Sequence, residues 1–299
     1  MGAEVAEQPQ VRRRLPRRRA ELAALARSVT RHAPSFMLLV EILPGLPVAV
    51  SQSGSSPDLV RTVVGRAGGA LTLAVTNDPG SDLDRAAELH LNIGAGTERA
   101  VAATISYTAQ LLALFLLFDH LRGGDGGVAN ALPELGETVL ARAAGPIAAG
   151  AARTREAQRL VVTGRGYADP TAREATLKLM ETSYLSAQAF SGADVLHGPV
   201  AMLDQRVPVF AVVPAGVAGD AMAQVLPRIR AAQAELFVVG TVAALAAANV
   251  GFALPDGVAE EVSPLLEILP FQLLALHLAV ARGENPDAPR GLRKATRTV

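Results

Sequence analysis

Three ionisable residues share one predicted helix in the second half of the chain. Glu174, Lys178 and Glu181 are spaced i, i+4 and i+7, which places them on one face of that helix. The same spacing is typical of a solvated Glu–Lys ion pair. The helix also carries the apolar residues Leu177, Met180 and Tyr184. We therefore expect much of it to be buried, and both interpretations of the cluster stay open.

Lysine is rare in this chain. Of the 28 basic residues only two, Lys178 and Lys294, are lysine, and the others are arginine. Arg cannot replace Lys where chemistry needs an amine that can lose its proton. Drift could also leave two lysines by chance, so the count becomes informative only with their positions.

A turn rich in serine, Ser51 to Ser56, follows a predicted strand and opens a predicted helix. Hydroxyl groups, a flexible Gly54 and the free N–H groups of a helix N-terminus form an anion site that needs no lysine. Ordinary N-capping by Ser55 or Ser56 would explain the same residues. No Gly-x-x-x-x-Gly-Lys-Ser/Thr motif is present, which excludes a P-loop nucleotidase.

His197 is the histidine that we expect to have a functional role, because Gly198 and Pro199 follow it and predict a tight loop. The remaining histidines are expected to be structural and are His32, His90, His120 and His277. None has metal-ligand spacing, so the sequence indicates no metal and no other cofactor.

The composition excludes several classes of protein. Half of the 299 residues are hydrophobic and 19% are charged, which excludes a disordered chain. The absence of cysteine excludes disulfides and thiolate nucleophiles. Basic and acidic residues balance at 28 each and aromatic residues make up 4%, which argues against nucleic-acid and anionic-membrane binding. The arginine-rich run at 12–19 is expected to be the solvated face of a helix rather than a nucleic-acid arm.

Membrane and targeting signals are not expected either. The longest apolar stretch, 101–121, is interrupted by polar residues and predicts a buried helix rather than a membrane span. The N-terminus lacks the apolar segment of a secretory signal. We therefore expect a cytoplasmic protein.

The chain alternates predicted strands and helices, which indicates an α/β fold with parallel sheets and helices on both faces. The predicted strands are 36–40, 48–50, 71–75, 89–93, 160–163, 207–213 and 234–239, and the predicted helices are 58–67, 99–121, 132–158, 171–190, 221–232 and 264–282. Five segments follow: a helical segment (1–34), a first α/β domain (35–124), a helical connector (125–156), a second α/β domain (157–284) and a tail (285–299).

Several motifs together resemble the sugar-isomerase (SIS) family, in particular the isomerase domains of glucosamine-6-phosphate synthases and the SIS-type glucosamine-6-phosphate deaminases. The motifs are Ser51-Gln52-Ser53-Gly54, Ala74-Val75-Thr76-Asn77, Ala95-Gly96-Thr97-Glu98, Gly164-Arg165-Gly166-Tyr167, Leu177-Lys178-Leu179-Met180-Glu181, His197-Gly198-Pro199 and the tail with Lys294. The resemblance implies two flavodoxin-like, three-layer subdomains, of which the first is truncated.

The resemblance also implies roles for individual residues. Glu181 corresponds to the base that moves a proton between C1 and C2, Lys178 stabilises the enediolate, and Glu174 is a further carboxylate beside the sugar. His197 assists ring opening from the neighbouring subunit of a homodimer, and Lys294 attacks or holds the open-chain carbonyl. The phosphate would be held by Ser51, Gln52, Ser53, Gly54 and Ser56, and the sugar by Val101 and Ala103.

Two departures from the family pattern matter. Only residues 41–47 separate the first two predicted strands, although a parallel crossover needs about 10–12 residues. This segment predicts a tight turn, with either a hairpin or a displaced strand, in place of the family's Gly-Thr-Ser loop and helix. The second departure is Ile105, which stands where the family usually has Lys.

Two hypotheses follow. The first is an isomerase or deaminase acting on a hexose or amino-sugar 6-phosphate, and the second is a sugar-phosphate-binding protein without catalysis. No glutaminase-type domain precedes the isomerase-like part of the sequence, so we do not expect glutamine-dependent synthesis from this chain alone.

Overall fold

The structure is a computed structural model, and it describes residues 1–32, 37–39, 46–66 and 71–294. These divide into two compact units, one of residues 1–6, 100–102 and 134–291, the other of residues 7–99, 103–133 and the residues from Leu292 onward. The five-segment division stays a prediction.

The first half of the chain contains the N-terminal helices and the first sheet. Its elements are α1 (Gly2–Arg14), α2 (Arg19–His32), β1 (Met37–Leu39), β2 (Leu46–Ser51), α3 (Pro57–Arg66), β3 (Leu73–Thr76), α4 (Asp82–Ala86), β4 (Leu89–Asn92) and α5 (Ile105–Leu121).

The second half contains a longer α/β sequence. Its elements are α6 (Leu132–Thr154), β5 (Arg159–Gly164), α7 (Ala168–Ser183), β6 (Ser186–Ser191), α8 (Gly192–His197), β7 (Val209–Val213), α9 (Val217–Met222), α10 (Leu226–Ala231), β8 (Leu236–Gly240), β9 (Val250–Ala253) and α11 (Pro264–Ala281). The α/β class with parallel sheets is confirmed, because every strand pair in the described residues is parallel.

The second sheet has the order β6-β5-β7-β8-β9 and helices on both faces. Alternate strand residues point to opposite faces. Val209, Ala211 and Val213 share a core cluster with residues of α9 and α10, whereas Phe210 stacks on Phe237 and meets the ring of Phe271 in α11 edge to face. Continuous apolar strands of this kind form because both faces of a parallel sheet are covered.

The first sheet has the order β1-β2-β3-β4, and its described residues contain no helix and strand corresponding to α7 and β6 of the second sheet. Strand β1 pairs directly with β2, in parallel, so the hairpin alternative is wrong and β1 takes the place of an edge strand. From strand geometry, the Cα atoms of Leu39 and Leu46 are about 8 Å apart. The seven residue steps between them can span up to ~23 Å, so the chain is long enough to connect the two strands without a helix. In the second sheet, residues 165–208 separate β5 from β7. The tight turn predicted within 41–47 is wrong for Leu46 and Pro47, which belong to β2. Its other residues and the outer residues of the 36–40 strand lie outside the described residues.

Several elements differ from the sequence prediction. The helix predicted to reach 190 ends at Ser183, where Tyr184 takes a left-handed conformation with φ 54°, and 186–191 form the edge strand β6 instead. The Ser-Ala-Gln-Ala-Phe-Ser sequence of β6 has no β-branched residue and gives no strand signal. Strand β9 was not predicted, α9 and α10 replace one predicted helix, and α5 begins at Ile105 rather than 99.

The arginine-rich N-terminal run is only partly a solvated helix face. Arg12, in α1, is fully buried and donates to Gln8 Oε1 at 3.2 Å, and this burial lowers the pKa of its guanidinium to about 9. Arg18 instead pairs with Glu21 at the surface. The expectation that the whole run is solvated is therefore wrong for Arg12, which lies on the packed face of its helix.

One helix, 260–281, is long and apolar enough to cross a membrane by length and composition alone, but 67% of its apolar window is buried inside its unit, as in a core helix. Its buried face carries Glu267, whose carboxylate accepts from Ser263 Oγ at 2.5 Å and Thr171 Oγ1 at 2.8 Å. Burial raises the pKa of Glu267 to about 7, and the nearby negative charge of Glu260 acts in the same direction.

We expect this carboxyl group to make stability depend on pH. Its folded-state pKa lies above the unfolded value, so the unfolded chain loses the proton first and stability falls as pH rises from about 4.5 to about 7. Glu267→Gln should remove this loss, which is on the order of 3 kcal/mol. Urea unfolding at pH 5, 6, 7 and 8 measures it, with the exposed Glu261→Gln as control. A difference between Glu267→Gln and wild type that is constant across this range would contradict the prediction.

Candidate active site

The serine-rich turn connects β2 to α3 at the carboxyl end of the first sheet. Ser51 is the last residue of β2 and is buried, and its Oγ accepts from Gly54 N at 3.1 Å and lies 3.5 Å from Ser56 Oγ. Helix α3 begins at Pro57, so a proline fills its first position. Ligands of parallel α/β sheets bind at this edge, where free N–H groups and hydroxyls converge.

The turn is fixed against the loop that follows β3. Asn77 N donates to Gln52 O at 3.0 Å, and Leu83 N donates to Gly54 O at 2.9 Å. Gly54 has φ +62°, and a Cβ there would lie 2.1 Å from Ser81 Oγ. Only glycine fits this position, for both its backbone conformation and its close packing.

The corresponding turn of the second sheet is already occupied by a carboxylate. Strand β7 ends at Val213, and Glu260 Oε1 accepts from Ala218 N, in the first turn of α9, at 2.9 Å. This carboxylate would repel a phosphate. The described part of the chain therefore offers one serine-rich anion turn, as the sequence indicated.

Helix α7 brings the three predicted ionisable residues together. Lys178 is 2% exposed, and its Nζ lies 2.6 Å from Glu181 Oε2 and 3.4 Å from Glu174 Oε1. The side chains of Glu174 and Glu181 are 13% and 22% exposed. The cluster is therefore a buried amine held by two partly accessible carboxylates, not a solvated surface pair.

Helix α7 is buried through other residues than those expected from the sequence. Leu177 and Met180 are 41% and 40% exposed, although they were expected to be buried. The packed face of α7 is instead made of small and hydroxyl residues with Leu179, and the helix packs on α11, β5 and β6. The apolar residues between the charges lie on the outer side of the helix.

His197 is the last residue of α8 and is exposed, so the prediction of a tight loop is corrected to a helix end. Within the described ranges no hydrogen bond or ion pair joins it to the Lys178 cluster. His90, by contrast, contacts Thr76 Oγ1 at 2.8 Å and Asp84 Oδ1 at 3.4 Å, which fits the structural role expected of it. Among the residues that the structure describes, no group of three or more His, Asp or Glu could hold a metal ion.

Lys294 lies against a residue that the sequence argument did not select. Its Nζ is 2.7 Å from Glu98 Oε2, and the Glu98 side chain is fully buried. The only sequence signal was the place of Glu98 at the end of the Ala-Gly-Thr-Glu motif, since the two residues are 196 positions apart. The residues beyond Lys294 lie outside the described part of the chain.

The segment before α5 holds the two residues expected to contact the sugar. Val101 and Ala103 are both half-buried, and Val101 N donates to Asp287 O at 3.2 Å. Ile105 begins α5 and is fully buried. An apolar side chain fits that environment, and the lysine usual in the family is replaced by a residue of the core.

Comparison with known proteins gives the family. The SIS domain family profile matches residues 46–119 and 154–282. The chain is 35% identical over 263 residues to the glutamine–fructose-6-phosphate aminotransferase (isomerizing) of Thermococcus kodakarensis, with 84% of this chain and 43% of that protein covered. The protein of the same name from Escherichia coli K12 is 33% identical over 270 residues, with the same coverage. The chain thus spans less than half the length of these curated relatives.

Solved structures share the fold. The C-terminal domain of glucosamine-fructose-6-phosphate aminotransferase from Francisella tularensis superposes with a TM-score of 0.77 at 23% identity, covering 96% of both chains. Glucosamine-6-phosphate deaminase from Thermotoga maritima gives a TM-score of 0.69 at 21% identity, covering 91% of this chain and 80% of that one. At these identities the likeness concerns the fold alone.

The packing of Gly54 generates a stability prediction. Gly54→Ala should destabilise the protein by about 2–4 kcal/mol, because the new methyl group combines a strained backbone with a clash against Ser81. Gly80→Ala is the matched control, since Gly80 also has positive φ (+82°) but nothing within 4 Å of its Cβ position. Chemical unfolding of both variants measures the difference, and equal losses would show that the close packing contributes nothing.

Proposed function

The chain belongs to the SIS domain family, and on this premise we propose that it is a sugar-phosphate isomerase or deaminase acting on a hexose 6-phosphate such as glucosamine 6-phosphate. Support comes from the names of the curated relatives, which include aminotransferases of the isomerizing type. The proposal concerns the isomerase-type reaction and not glutamine-dependent synthesis.

One observation carries the proposal, namely the buried amine of Lys178 within 2.6 Å of the Glu181 carboxylate. A carboxylate beside a fixed ammonium group can remove a proton from carbon while the ammonium stabilises the negative charge that develops on oxygen. Lys178 is held on its other side by Glu174 at 3.4 Å, so its position is set before substrate arrives.

The reaction moves two protons within the substrate, one between carbons and one between heteroatoms. Glu181 takes the proton from C2 of the open-chain aldose, and an enediolate forms beside Lys178. Return of that proton to C1, with transfer of the hydroxyl proton from O2 to O1, gives the ketose. When C2 carries an amino group, the same shift gives an imine at C2, and water hydrolyses it to the ketose and ammonia.

The serine-rich turn supplies the phosphate contacts in this proposal. Ser51, Gln52, Ser53, Gly54 and Ser56 bind the 6-phosphate through hydroxyl and N–H groups, and Val101 and Ala103 border the sugar. Their support is the geometry of the turn, in which Ser51 Oγ lies 3.1 Å from Gly54 N and 3.5 Å from Ser56 Oγ.

His197 would assist ring opening from the neighbouring subunit of a homodimer. The exposure of His197 supports this, as does the exposure of Leu177, Met180 and Leu196 on the same two helices, α7 and α8. We also propose that the protein acts in the cytoplasm, as a metabolic enzyme of this type would.

A second candidate function is sugar-phosphate binding without catalysis. It is favoured by the first sheet, where β1 pairs directly with β2 and the described residues hold no counterpart of α7 and β6. The family's Gly-Thr-Ser loop is missing at that place, and Ile105 replaces a usual lysine.

Substitution of the proposed base separates the two functions. We expect Glu181→Gln to lower turnover of glucosamine 6-phosphate about 10²–10⁴-fold, because the amide cannot accept the proton. A coupled assay for ammonia and fructose 6-phosphate measures turnover, and calorimetry measures binding, which should persist. Glu156→Gln, at a 91% exposed side chain, is the matched control.

Two outcomes would decide against the first proposal. Wild-type turnover in Glu181→Gln would refute the role of this carboxylate. Calorimetric binding of glucosamine 6-phosphate by the wild type, with no product after long incubation, would establish the binding function instead.

A further inference from the structure

The carboxylate of Glu98 accepts four hydrogen bonds close to the start of α5. Its Oε1 accepts from Thr104 N at 2.7 Å and from Ser106 N at 3.1 Å. Its Oε2 accepts from Ser106 Oγ at 2.7 Å and from Lys294 Nζ at 2.7 Å. Four donors on a fully buried side chain leave it no freedom to move.

The first three donors explain why a carboxylate is buried here. The side chain of Thr104, the residue that precedes α5, makes no capping hydrogen bond. The first N–H groups of a helix have no partner within the helix and favour a negative charge. Glu98 supplies that partner from six residues upstream, so its position is set by the backbone of α5.

The fourth donor is the side chain of Lys294. The Lys294 side chain is 30% exposed and lies at the end of the described tail. Its amine compensates the charge of the buried Glu98 carboxylate. Burial by itself raises the pKa of Glu98, but the hydrogen bonds from Lys294, Thr104 and Ser106 outweigh it, and the net pKa is lowered. The pair therefore consists of a carboxylate and an ammonium ion.

We propose that Glu98 is the positioning residue for the amine of Lys294, holding it as an ammonium ion in the place where the sugar reaction uses it. This inference rests on the proposed function. Lys294 could either stabilise negative charge on the substrate oxygen or attack the carbonyl carbon, and the ion pair favours the first of these roles. Attack on the carbonyl needs the neutral amine, and its proton would have to pass to a carboxylate that binds protons weakly.

The ion pair can be observed without any substrate. The chain has only two lysines, so protein labelled with ¹⁵N-lysine gives two side-chain ammonium signals, of Lys178 and Lys294. In wild type we expect slow exchange of the Lys294 ammonium protons with water. In Glu98→Gln that exchange should be about tenfold faster, while the Lys178 signal is unchanged and serves as internal reference.

The role in turnover is tested by a double-mutant cycle. Glu98→Gln should lower kcat about 10–100-fold with little change in KM, and Glu98→Asp should recover part of that loss. In the Lys294→Met background Glu98→Gln should have no further effect, because Glu98 acts only through the amine. Thr108→Val is the matched control on α5: it removes a buried hydroxyl that bonds Gln8 and should keep turnover within about threefold.

The outcomes are distinguishable. Exchange at Lys294 as fast as in free lysine in the wild type would overturn the proposal, even if Glu98→Gln does not fold. An equal loss from Glu98→Gln in both backgrounds would also overturn it, since Glu98 would then act through the fold. Absence of turnover in the wild type would refute the proposed function instead, and the exchange measurement would still decide whether Glu98 holds the amine.

Discussion

A charge buried in a protein costs several kcal/mol unless an opposite charge or hydrogen bonds compensate it, and this constraint governs where the ionisable residues of this protein lie. Lys178 is buried between the carboxylates of Glu174 and Glu181. Glu98 is buried with one donor from Thr104, two from Ser106 and the amine of Lys294. Glu267 meets the same constraint differently, because its pKa rises to about 7. Each group is thereby held in one place.

The two sheets show how one fold carries two kinds of site. Both are parallel, and in each a turn at the carboxyl end of a central strand leads into a helix. In the first sheet that turn consists of serines around Gly54, whereas in the second Glu260 occupies the corresponding N–H group. The second sheet contains α7 and β6 between its first and third strands in sequence, and α7 carries the Lys178 cluster. In the proposed function, anion binding and proton transfer therefore belong to different halves of the sequence.

The proposed chemistry needs little beyond these groups. Enolisation of a sugar phosphate requires a base for the carbon-bound proton, positive charge near the oxygens and a fixed phosphate. In this proposal the buried ion pairs fix the positive charge near the oxygens before substrate binds. In the first sheet β1 pairs directly with β2 in parallel, although only residues 40–45 separate the two strands in the sequence.

The sequence by itself determined the α/β class, the parallel sheets, the serine-rich turn and the single helix face that carries Glu174, Lys178 and Glu181. These features depend on local spacing, which a helix or a strand converts directly into geometry. It did not determine that β6 is a strand, because edge pairing with β5 stabilises a segment without β propensity. It misjudged Leu177 and Met180, since the packed side of α7 depends on where α11 and the sheet lie. Only the tertiary structure brought Glu98 to Lys294, because residues 196 positions apart meet through the path of the whole chain and no local pattern records that path.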